Sequence, residues 1–445
     1  MARVLFVEHR LRNEKLGIMV LSAVLKQHGH ETALVQTAQE DLDAVLDAFA
    51  PDWIAFSVMT GEHQRALATA RAIKERRPVT TLFGGPHCSF FPEIGAEPGV
   101  DYVIQGAGEE IILEVLAGRL SPGVFRGNLV RDMDRLPFAD RDLLYGEPRF
   151  RDNPIKNVMT LRDCPYNCAY CYNHLWKSLY ADQRDGLFRR RSVENVLAEI
   201  AAIRERFPLA KINFLDDNFL FDGAWVESFC QAYRQEVGLP FLINVRANLV
   251  EERTVQMLRE AGCEMVNFAL ESADPEVQRK ILNRGAFTNE GVIRSIELFH
   301  LHGIRIRMQN MIGLPVPDPL ADAMNTLRFN LEHRVEDSWV SIFQPYPRTR
   351  LAEYAVEHGF LKDASLDACA ESFFDESRLV IPDRDKLNRL QKWWYFIVRH
   401  QLPEPVIDLL LELPMTREQG ERLLATRFAM SRRYFYGLPD QAPTT

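Results

Sequence analysis

The sequence predicts an α/β protein in three parts: a doubly wound, Rossmann-like domain, a partial (β/α)6 TIM-type barrel and a helical C-terminal region. Short β-rich segments alternate with helical patterns up to about residue 120, and a second alternation with six strands follows a Pro- and Gly-rich connector. After about residue 352 the apolar residues recur at helical spacing. We place the first domain at 1–125, a linker at 126–152, the barrel at 153–352 and the helical region at 353–445.

The first domain is predicted from five strands separated by helices. Strands that alternate with helices of this length form a parallel sheet covered on both faces. Ligands of such sheets bind beyond the carboxyl ends of the strands, so we expect binding residues in the loops that follow them. The strands are predicted at 3–7, 32–36, 53–58, 79–85 and 101–106, and the helices at about 16–28, 39–49, 62–76 and 108–117.

The connector RLSPGVFRGNLVRDMDRLPFADRDLLYGEPRFRDNP is rich in Pro, Gly and Asp and has weak periodicity. Six β/α units in the segment that follows predict a partial barrel whose chemistry lies at the carboxyl ends of its strands. In the helical region, Trp393 and Trp394 either line a substrate pocket or, as is more usual for an aromatic stripe, belong to the core. The barrel strands are predicted at about 156–162, 211–215, 241–246, 264–270, 304–312 and 338–344.

The composition indicates a protein that acts on small molecules. The 445 residues carry a formal net charge of −9, with 47% hydrophobic and 26% charged residues. A nucleic-acid backbone is therefore not expected as the primary partner. No segment approaches 18 uninterrupted apolar residues, and the five-residue apolar run near the N-terminus is too short for a signal peptide. We expect a soluble, cytoplasmic protein that does not interact with a membrane.

Three of the seven cysteines are clustered, and the odd total does not fit a disulfide framework. The stretch LRDCPYNCAYCYNHL (161–175) contains the clustered three, Cys164, Cys168 and Cys171, in the pattern C-x3-C-x2-C. We interpret the isolated cysteines as small, buried hydrophobic residues. These are Cys88, Cys230, Cys263 and Cys369.

Three thiols at this spacing predict a site for a soft metal. A structural zinc site requires four ligands, and His174 is a candidate for the fourth. An iron–sulfur cubane (a 4Fe-4S cluster) held by only three thiolates leaves one iron open to a small molecule. The cluster accounts for the missing fourth cysteine, because the vacant position belongs to a substrate or cofactor.

The cysteine motif, at the end of the first barrel strand and with an aromatic residue before the last cysteine, resembles that of the radical S-adenosylmethionine (SAM) enzymes. The resemblance implies that Cys164, Cys168 and Cys171 bind a 4Fe-4S cluster. It also implies that SAM chelates the open iron and that one electron cleaves it to methionine and a 5′-deoxyadenosyl radical. The cofactors carry this chemistry, and the protein fixes the geometry and excludes water.

Further stretches resemble the SAM-binding segments of that family. These are INFLDDNFLFD (212–222), FALESADPEVQRKILNRG (268–285), NMIGLP (310–315) and FQPYPRTRL (343–351), where relatives usually have Pro-Gly-Thr and this chain has Pro-Arg-Thr. The resemblance implies that Asp216 and Asp217 meet the methionine amino group and that Glu271 meets the ribose. The implied SAM-binding residues are Tyr170, Asp216, Asp217, Glu271, Ser272, Arg284, Gly313 and Gln344.

The first domain resembles the cobalamin-binding module of the cobalamin-dependent branch of this family. The stretches that match are LGIMVLSAVLKQHGHETALV (16–35), PDWIAFSVMT (51–60), LFGGPHCSFFPE (82–93) and VDYVIQGAGEE (100–110). His9 lacks the neighbours of an axial-ligand motif, so we expect cobalt without a histidine ligand from this loop. The implied cobalamin-binding residues are Ser57, Thr60, Gly84, Gly85, His87, Gln105, Gly106, Gly108 and Glu109.

Together these resemblances predict a cobalamin-dependent radical SAM methyltransferase that methylates an unactivated carbon, or phosphorus, of a small molecule. An external one-electron reductant such as flavodoxin or ferredoxin is the expected protein partner. Two alternatives remain open: the same cofactors with a non-methylating rearrangement, cyclisation or oxidation, and a non-catalytic metal-cluster protein. Arg305 and Arg307 alternate on one strand and serve either an anionic substrate or stability.

Overall fold

The structure, a computed structural model, describes residues 1–366, 370 and 372–433, so Cys369 lies outside the described residues. The chain divides into two compact units. The first unit comprises Met1–Pro165 and Tyr172–Ala210, and the second comprises Tyr166–Cys171 and Lys211–Thr445. The domain boundaries expected from the sequence stay predictions.

The first unit contains a six-stranded parallel sheet with the order β2-β1-β3-β4-β5-β6. Its strands are β1 (Arg3–Glu8), β2 (Glu31–Gln36), β3 (Trp53–Ser57), β4 (Thr80–Gly84), β5 (Tyr102–Gly106) and β6 (Gly123–Gly127). The same unit contains the short strand β7 (Ile155–Val158). Its α-helices are α1 (Leu16–Gln27), α2 (Leu42–Phe49), α3 (His63–Lys74), α4 (Pro86–Phe90), α5 (Ile111–Leu116), α6 (Asp142–Tyr145), α7 (Pro148–Arg151), α8 (Asn173–Leu179) and α9 (Val193–Arg206).

The side chains of β1 show why this sheet is covered on both faces. Val4 and Phe6 belong to one apolar cluster, whereas Leu5 and Val7 belong to another. Successive side chains of a strand point to opposite faces, so a continuous apolar run supplies two cores at once. The predicted doubly wound architecture is confirmed.

The strand β6 was not predicted. Its residues lie in the weakly periodic stretch at the predicted boundary between the first domain and the linker. They nevertheless pair in parallel with β5 at the edge of the sheet. Glycine occupies both ends of β6, and Val124 and Arg126 are exposed. An edge strand needs neither the apolar run nor the β-rich composition of a central strand, so its sequence resembles a loop.

The second unit contains a parallel sheet with the order β12-β11-β10-β9-β8. With β7, these strands account for all six predicted after residue 150. The strands are β8 (Lys211–Phe214), β9 (Phe241–Val245), β10 (Cys263–Glu271), β11 (Arg305–Ile312) and β12 (Asp337–Ile342). The α-helices are α10 (Gly223–Glu236), α11 (Glu252–Ala261), α12 (Asn289–Leu301), α13 (Pro319–Glu332), α14 (Arg350–Glu357), α15 (Arg384–His400), α16 (Glu404–Glu412) and α17 (Arg417–Ser431).

The helices after β12 cover one part of this sheet. Trp394 of α15 is fully buried, and its indole Nε1 donates a hydrogen bond of 2.7 Å to the Ser338 hydroxyl on β12. Trp394 therefore belongs to the core, the more usual of the two possibilities for this aromatic stripe. No helix in the part of the chain that the structure describes is long and apolar enough to span a membrane.

We expect Phe214→Ala to lower the free energy of unfolding of the protein by about 3–5 kcal/mol, as measured by urea denaturation. Phe214 is fully buried, and its ring centroid lies 5.2 Å from that of Phe219 and 5.3 Å from that of Phe229. Phe221 is 37% exposed, so Phe221→Ala is the control and should cost less than about 1 kcal/mol. Equal losses in the two variants would contradict the assignment of Phe214 to the core.

Candidate functional site

A cavity of about 340 Å³ in the first unit lies at the carboxyl ends of the central strands. Ser57, Gly84 and Gly106 line it from the ends of β3, β4 and β5, and α1 contributes Gly17 and Leu21. Its walls are mostly apolar, with polar groups at the strand ends. This is the edge at which a doubly wound sheet binds its ligands.

Six of the nine residues implied in cobalamin binding line this cavity, and three do not. The Thr60 hydroxyl lies 3.1 Å from His87 Nδ1, and the buried His87 ring stacks on Phe91. The Gln105 amide donates to the Ser89 carbonyl oxygen at 2.9 Å. The six lining residues are Ser57, Gly84, Gly85, Gly106, Gly108 and Glu109.

Two of the lining glycines occupy positions where a side chain would collide with the protein. Gly85 has a φ of +92°, and a Cβ there would lie 2.8 Å from the Val58 backbone nitrogen. Gly106 has a φ of +79°, and its Cβ would lie 2.0 Å from the Tyr180 hydroxyl oxygen. Only glycine adopts both backbones without strain, and the missing side chains keep the edge of the cavity open.

Ion pairs surround part of the same cavity. Glu109 pairs with Arg162, and Arg189 lies 3.3 Å from Asp163. Burial alone would raise the pKa of Glu109, but the Arg162 guanidinium outweighs burial and holds this pKa below its usual value. Arg162, Arg189 and Asp163 were not predicted from the sequence, because a charged residue near a strand end is indistinguishable from a surface residue until its partner is known.

The carboxyl end of β1 carries a second buried ion pair. Lys15 Nζ lies 2.5 Å from a Glu8 carboxylate oxygen and 3.5 Å from the carbonyl oxygen of Ser57, a cavity residue. Burial raises the pKa of Glu8 to about 7, although the Lys15 ammonium opposes the shift. His9 is exposed, with Nδ1 3.2 Å from the Thr37 hydroxyl, and the expected absence of a histidine ligand to cobalt stays a prediction.

The cysteine loop of the second unit, Tyr166–Cys171, is held by backbone hydrogen bonds on both sides of Ala169. The Ala169 N–H donates to the Leu282 carbonyl oxygen, and the Leu351 N–H donates to the Ala169 carbonyl oxygen, both at 2.9 Å. Cys168 is buried and Cys171 is partly exposed, whereas Cys164 belongs to the first unit. The loop is therefore fixed next to two predicted SAM-binding segments.

Within residues 1–366, 370 and 372–433, no three His, Cys, Asp or Glu side chains are placed to hold one metal ion. A single ion requires every sulfur within about 2.3 Å of one point. A cubane differs, because each thiolate binds a different iron and the sulfur ligands are spaced around the cluster. Three thiols and a loop anchored by backbone hydrogen bonds fit the cluster as a donor set.

A second cavity, of about 350 Å³, lies within the second unit. Three of the eight residues implied in SAM binding line it: Tyr170, Glu271 and Gln344. The cavity also has polar and aromatic walls outside the implied SAM-binding residues. Those walls include Gln309, Trp339, Ser341 and Phe373.

A hydrogen bond between Tyr170 and Glu271 joins the cysteine loop to β10. The Tyr170 hydroxyl donates to Glu271 Oε1 at 3.0 Å. Burial raises the pKa of Glu271, opposed by the Arg284 guanidinium, and burial together with the Glu271 carboxylate raises the pKa of Tyr170. Both shifts favour the protonated form of the group concerned.

Glu271 also has an unusual backbone. Its φ is +66°, and the pairing of β10 with β11 shifts register between Ala269 and Glu271. Arg284 donates hydrogen bonds to the carbonyl oxygens of Ala269 at 2.7 Å and Leu270 at 2.9 Å. Arg284 thus supports the backbone that turns Glu271 into the cavity, and its predicted contact with the polar end of SAM stays a prediction.

The remaining predicted SAM-binding residues do not line the second cavity. The Ser272 hydroxyl donates to Asp322 at 2.5 Å, and Gly313 forms a turn with a φ of +69°. Asp216 is fully buried, and its carbonyl oxygen accepts a hydrogen bond from Asn244, whereas Asp217 is exposed. Their roles in binding SAM stay predictions.

The two arginines of β11 are engaged in ion pairs. Arg305 lies 2.9 Å from Glu264, and Arg307 lies 2.6 Å from Asp337 and donates to the Ser431 hydroxyl of α17. Neither arginine lines the second cavity. These contacts favour stability over recognition of an anionic substrate, the other possibility left open by the sequence.

Two families match this chain, and each match falls on one of the sites. The B12 binding domain matches residues 2–116, which contain the six residues implied in cobalamin binding that line the first cavity. The radical SAM superfamily matches residues 158–328, which contain the three clustered cysteines and the Tyr170–Glu271 pair. The chain thus combines a B12 binding domain with a radical SAM domain.

Known proteins resemble this B12-binding radical SAM enzyme over most of its length. An uncharacterized methyltransferase of Pyrococcus horikoshii is 26% identical over 376 residues, which are 78% of this chain and 79% of that protein. The structure of the methyltransferase TsrM from Kitasatospora setae, with tryptophan substrate and aza-SAM, covers 80% of this chain and 76% of its own, with 16% identity and a TM-score of 0.64. The cobalamin-dependent radical enzyme OxsB, with aqua-cobalamin and SAM bound, covers 99% and 74%, with 15% identity and a TM-score of 0.69. These two structures show a shared fold.

The buried carboxyl group of Asp322 should make the stability of this radical SAM enzyme depend on pH. Burial raises the pKa of Asp322 to about 6, although the Ser272 hydroxyl bond opposes the shift. The folded protein therefore holds a proton that the unfolded chain, with a pKa of about 4, has released, and folding loses stability as the pH rises through 6. We expect Asp322→Asn to gain up to about 3 kcal/mol relative to wild type between pH 4 and pH 7 in urea denaturation.

Asp408→Asn is the control for this measurement, because Asp408 is exposed on α16. Its pH profile should run parallel to that of wild type. A parallel profile for Asp322→Asn as well would show that the Asp322 carboxyl is not buried as described.

Proposed function

We propose that this enzyme is a cobalamin-dependent methyltransferase. It binds a 4Fe-4S cluster, SAM and cobalamin, and it methylates an unactivated carbon, or phosphorus, of a small molecule. One observation carries the proposal: a single chain combines a B12 binding domain and a radical SAM domain, each with a formed cavity at its predicted residues. Relatives of similar length that are named methyltransferases support it further.

The first cavity fits cobalamin as a bulky ligand with an apolar body and a polar tail. Gly84 and Gly85 let the ligand approach the backbone, and the Ser57 hydroxyl lies at the same edge. The ion pairs at Glu109 and Arg162 provide polar groups around an otherwise apolar space. Thr60, His87 and Gln105 then support the site indirectly. Thr60 and His87 contact each other and Gln105 contacts Ser89, and none of the three lines the cavity.

The cysteine loop and the second cavity fit the cluster and SAM. Cys164, Cys168 and Cys171 supply three thiolates, and Tyr170, Glu271 and Gln344 orient SAM in the cavity. When bound, the reduced cluster supplies the electron that cleaves SAM, and cobalamin supplies the methyl group. Flavodoxin or ferredoxin, as the external reductant, completes the proposal. Asp216, Asp217, Ser272, Arg284 and Gly313 are assigned to the outer part of the SAM site.

We assign the remaining part of the second cavity to the substrate. Trp339 and Phe373 offer aromatic walls, and the Gln309 amide and Ser341 hydroxyl offer hydrogen bonds. Among the described residues that line this cavity, Glu271 is the sole carboxyl group and there is no Lys, Arg or His. This lining favours an uncharged, planar or apolar group of the substrate at the point of reaction.

The first test follows the two products of SAM. Protein reconstituted with iron, sulfide and hydroxocobalamin, given SAM and a strong reductant, should form both 5′-deoxyadenosine and S-adenosylhomocysteine, quantified by mass spectrometry. Cys168→Ala should lower the yield of 5′-deoxyadenosine at least about 100-fold, because the cluster loses a ligand. Cys230→Ala is the matched control, since Cys230 is buried in α10 outside the cysteine motif.

Two results would overturn the proposal. Deoxyadenosine without S-adenosylhomocysteine in the presence of bound cobalamin would favour a non-methylating rearrangement, cyclisation or oxidation. A fully assembled cluster that never cleaves SAM would favour a non-catalytic cluster protein.

The second test concerns the glycine edge of the first cavity. Gly85→Ala should weaken the binding of hydroxocobalamin about tenfold or more, because a Cβ 2.8 Å from the Val58 nitrogen forces the loop to move. Gly223→Ala is the control, because a Cβ at Gly223 meets no atom within 4 Å. Equilibrium dialysis measures the affinity, and circular dichroism verifies folding. Unchanged affinity in folded Gly85→Ala would remove this cavity as the cobalamin site.

A further inference from the structure

Arg246 contacts the sulfur of one of the clustered cysteines. It directly follows β9, and its Nη1 lies 3.6 Å from Cys168 Sγ, a distance suitable for an N–H···S hydrogen bond. Both residues belong to the second unit, and the Arg246 side chain is partly buried. The resemblance to radical SAM enzymes on which the sequence analysis rests gives this arginine no role.

The guanidinium of Arg246 is fixed by every one of its nitrogen atoms. Nε donates to Asn248 Oδ1 at 2.7 Å, and Nη2 donates to the Arg284 carbonyl oxygen at 2.9 Å. The guanidinium carbon lies 3.9 Å from the centroid of the Tyr166 ring, and the Tyr166 hydroxyl in turn accepts a hydrogen bond from Asn248. A planar group held at three points presents Nη1 to the sulfur in one orientation.

Burial raises the pKa of Glu271, and the charge of Arg246 is one of those that oppose the shift, although the two side chains form no ion pair. In residues 1–366, 370 and 372–433, no carboxylate forms an ion pair with Arg246, although many other arginines of the chain have one. A charge that serves only stability is normally paired when it is partly buried. The charge of this guanidinium therefore acts on Cys168 without an ion-paired carboxylate among the described residues.

We propose that Arg246 raises the reduction potential of the iron–sulfur cluster by donating a hydrogen bond and a positive charge to Cys168. This inference rests on the proposed function, because it requires that Cys168 bind a cluster. One-electron reduction adds negative charge to the cluster and its sulfurs, and a nearby cationic donor stabilises that charge. Arg246 acts through Cys168 and touches no reacting atom, so it is a positioning residue.

The test is a redox titration of the reconstituted protein, without SAM, followed by the electron paramagnetic resonance signal of the reduced cluster. Arg246→Met should disfavour reduction about tenfold, equivalent to a midpoint potential lower by 59 mV for a one-electron couple. Arg246→Lys should lower the midpoint potential less, because an ammonium group keeps the positive charge but lacks the planar set of N–H donors of the guanidinium. Arg253→Gln is the matched control and should keep the wild-type midpoint, since Arg253 is exposed and paired with Glu227.

Iron content, sulfide content and absorbance are measured before each titration. Wild-type protein that assembles no cluster would overturn the proposed function. Clusters of equal content in wild type and Arg246→Met with equal midpoints would overturn this inference and leave the proposed function standing. Should Arg246→Met hold no cluster, Arg246→Lys decides: a lowered midpoint supports the role of Arg246, and a wild-type midpoint overturns it.

Discussion

Two backbone hydrogen bonds at Ala169 position the cysteine loop of the second unit. One ties the cysteine loop to Leu282 and the other ties it to Leu351, so a segment without regular structure is held as firmly as a strand. A loop that positions metal ligands needs this support, because small displacements of the ligands cost affinity and activity. The Tyr170–Glu271 hydrogen bond adds a side-chain link from the same loop to the end of β10. The position of the cysteine loop is consequently coupled to the SAM-binding segments and to the cavity.

The backbone at Glu271 is held in an unusual conformation by its neighbours. A non-glycine residue with a positive φ is strained, and such strain persists only where the surroundings enforce it. Arg284 enforces it through two carbonyl oxygens of β10, and it faces Phe287 with its guanidinium carbon 3.9 Å from the ring centroid. The register shift in β10 and the buried arginine therefore have the same effect: they present to the cavity a carboxyl group whose pKa burial raises.

The sequence was sufficient to predict most of the strands and the sheet edges where ligands bind, because continuous apolar runs such as that of β1 and turn residues such as Gly85 carry a local signal. It was insufficient for β6, where edge position relaxes the pattern, and for the direction of individual side chains. Ser272 lies in the matched motif yet turns away to Asp322, since the register shift before it reverses the alternation of the strand. Arg246 carried no local signal, because its partners are distant in sequence.

Buried charge separates the two cavities in physical terms. The first is bordered by Arg162 with Glu109 and by Arg189 with Asp163, pairs whose desolvation cost largely offsets their attraction. Such pairs contribute little to stability, so their presence beside an apolar space is best explained by what they orient. Beside the cysteine loop of the second unit, the Arg246 guanidinium contacts the Cys168 sulfur and forms no ion pair with a carboxylate among the described residues. An ion pair can orient a ligand while its two charges largely cancel. A cation without an ion-pair partner instead stabilises negative charge on the group beside it, as is required next to a group that accepts an electron.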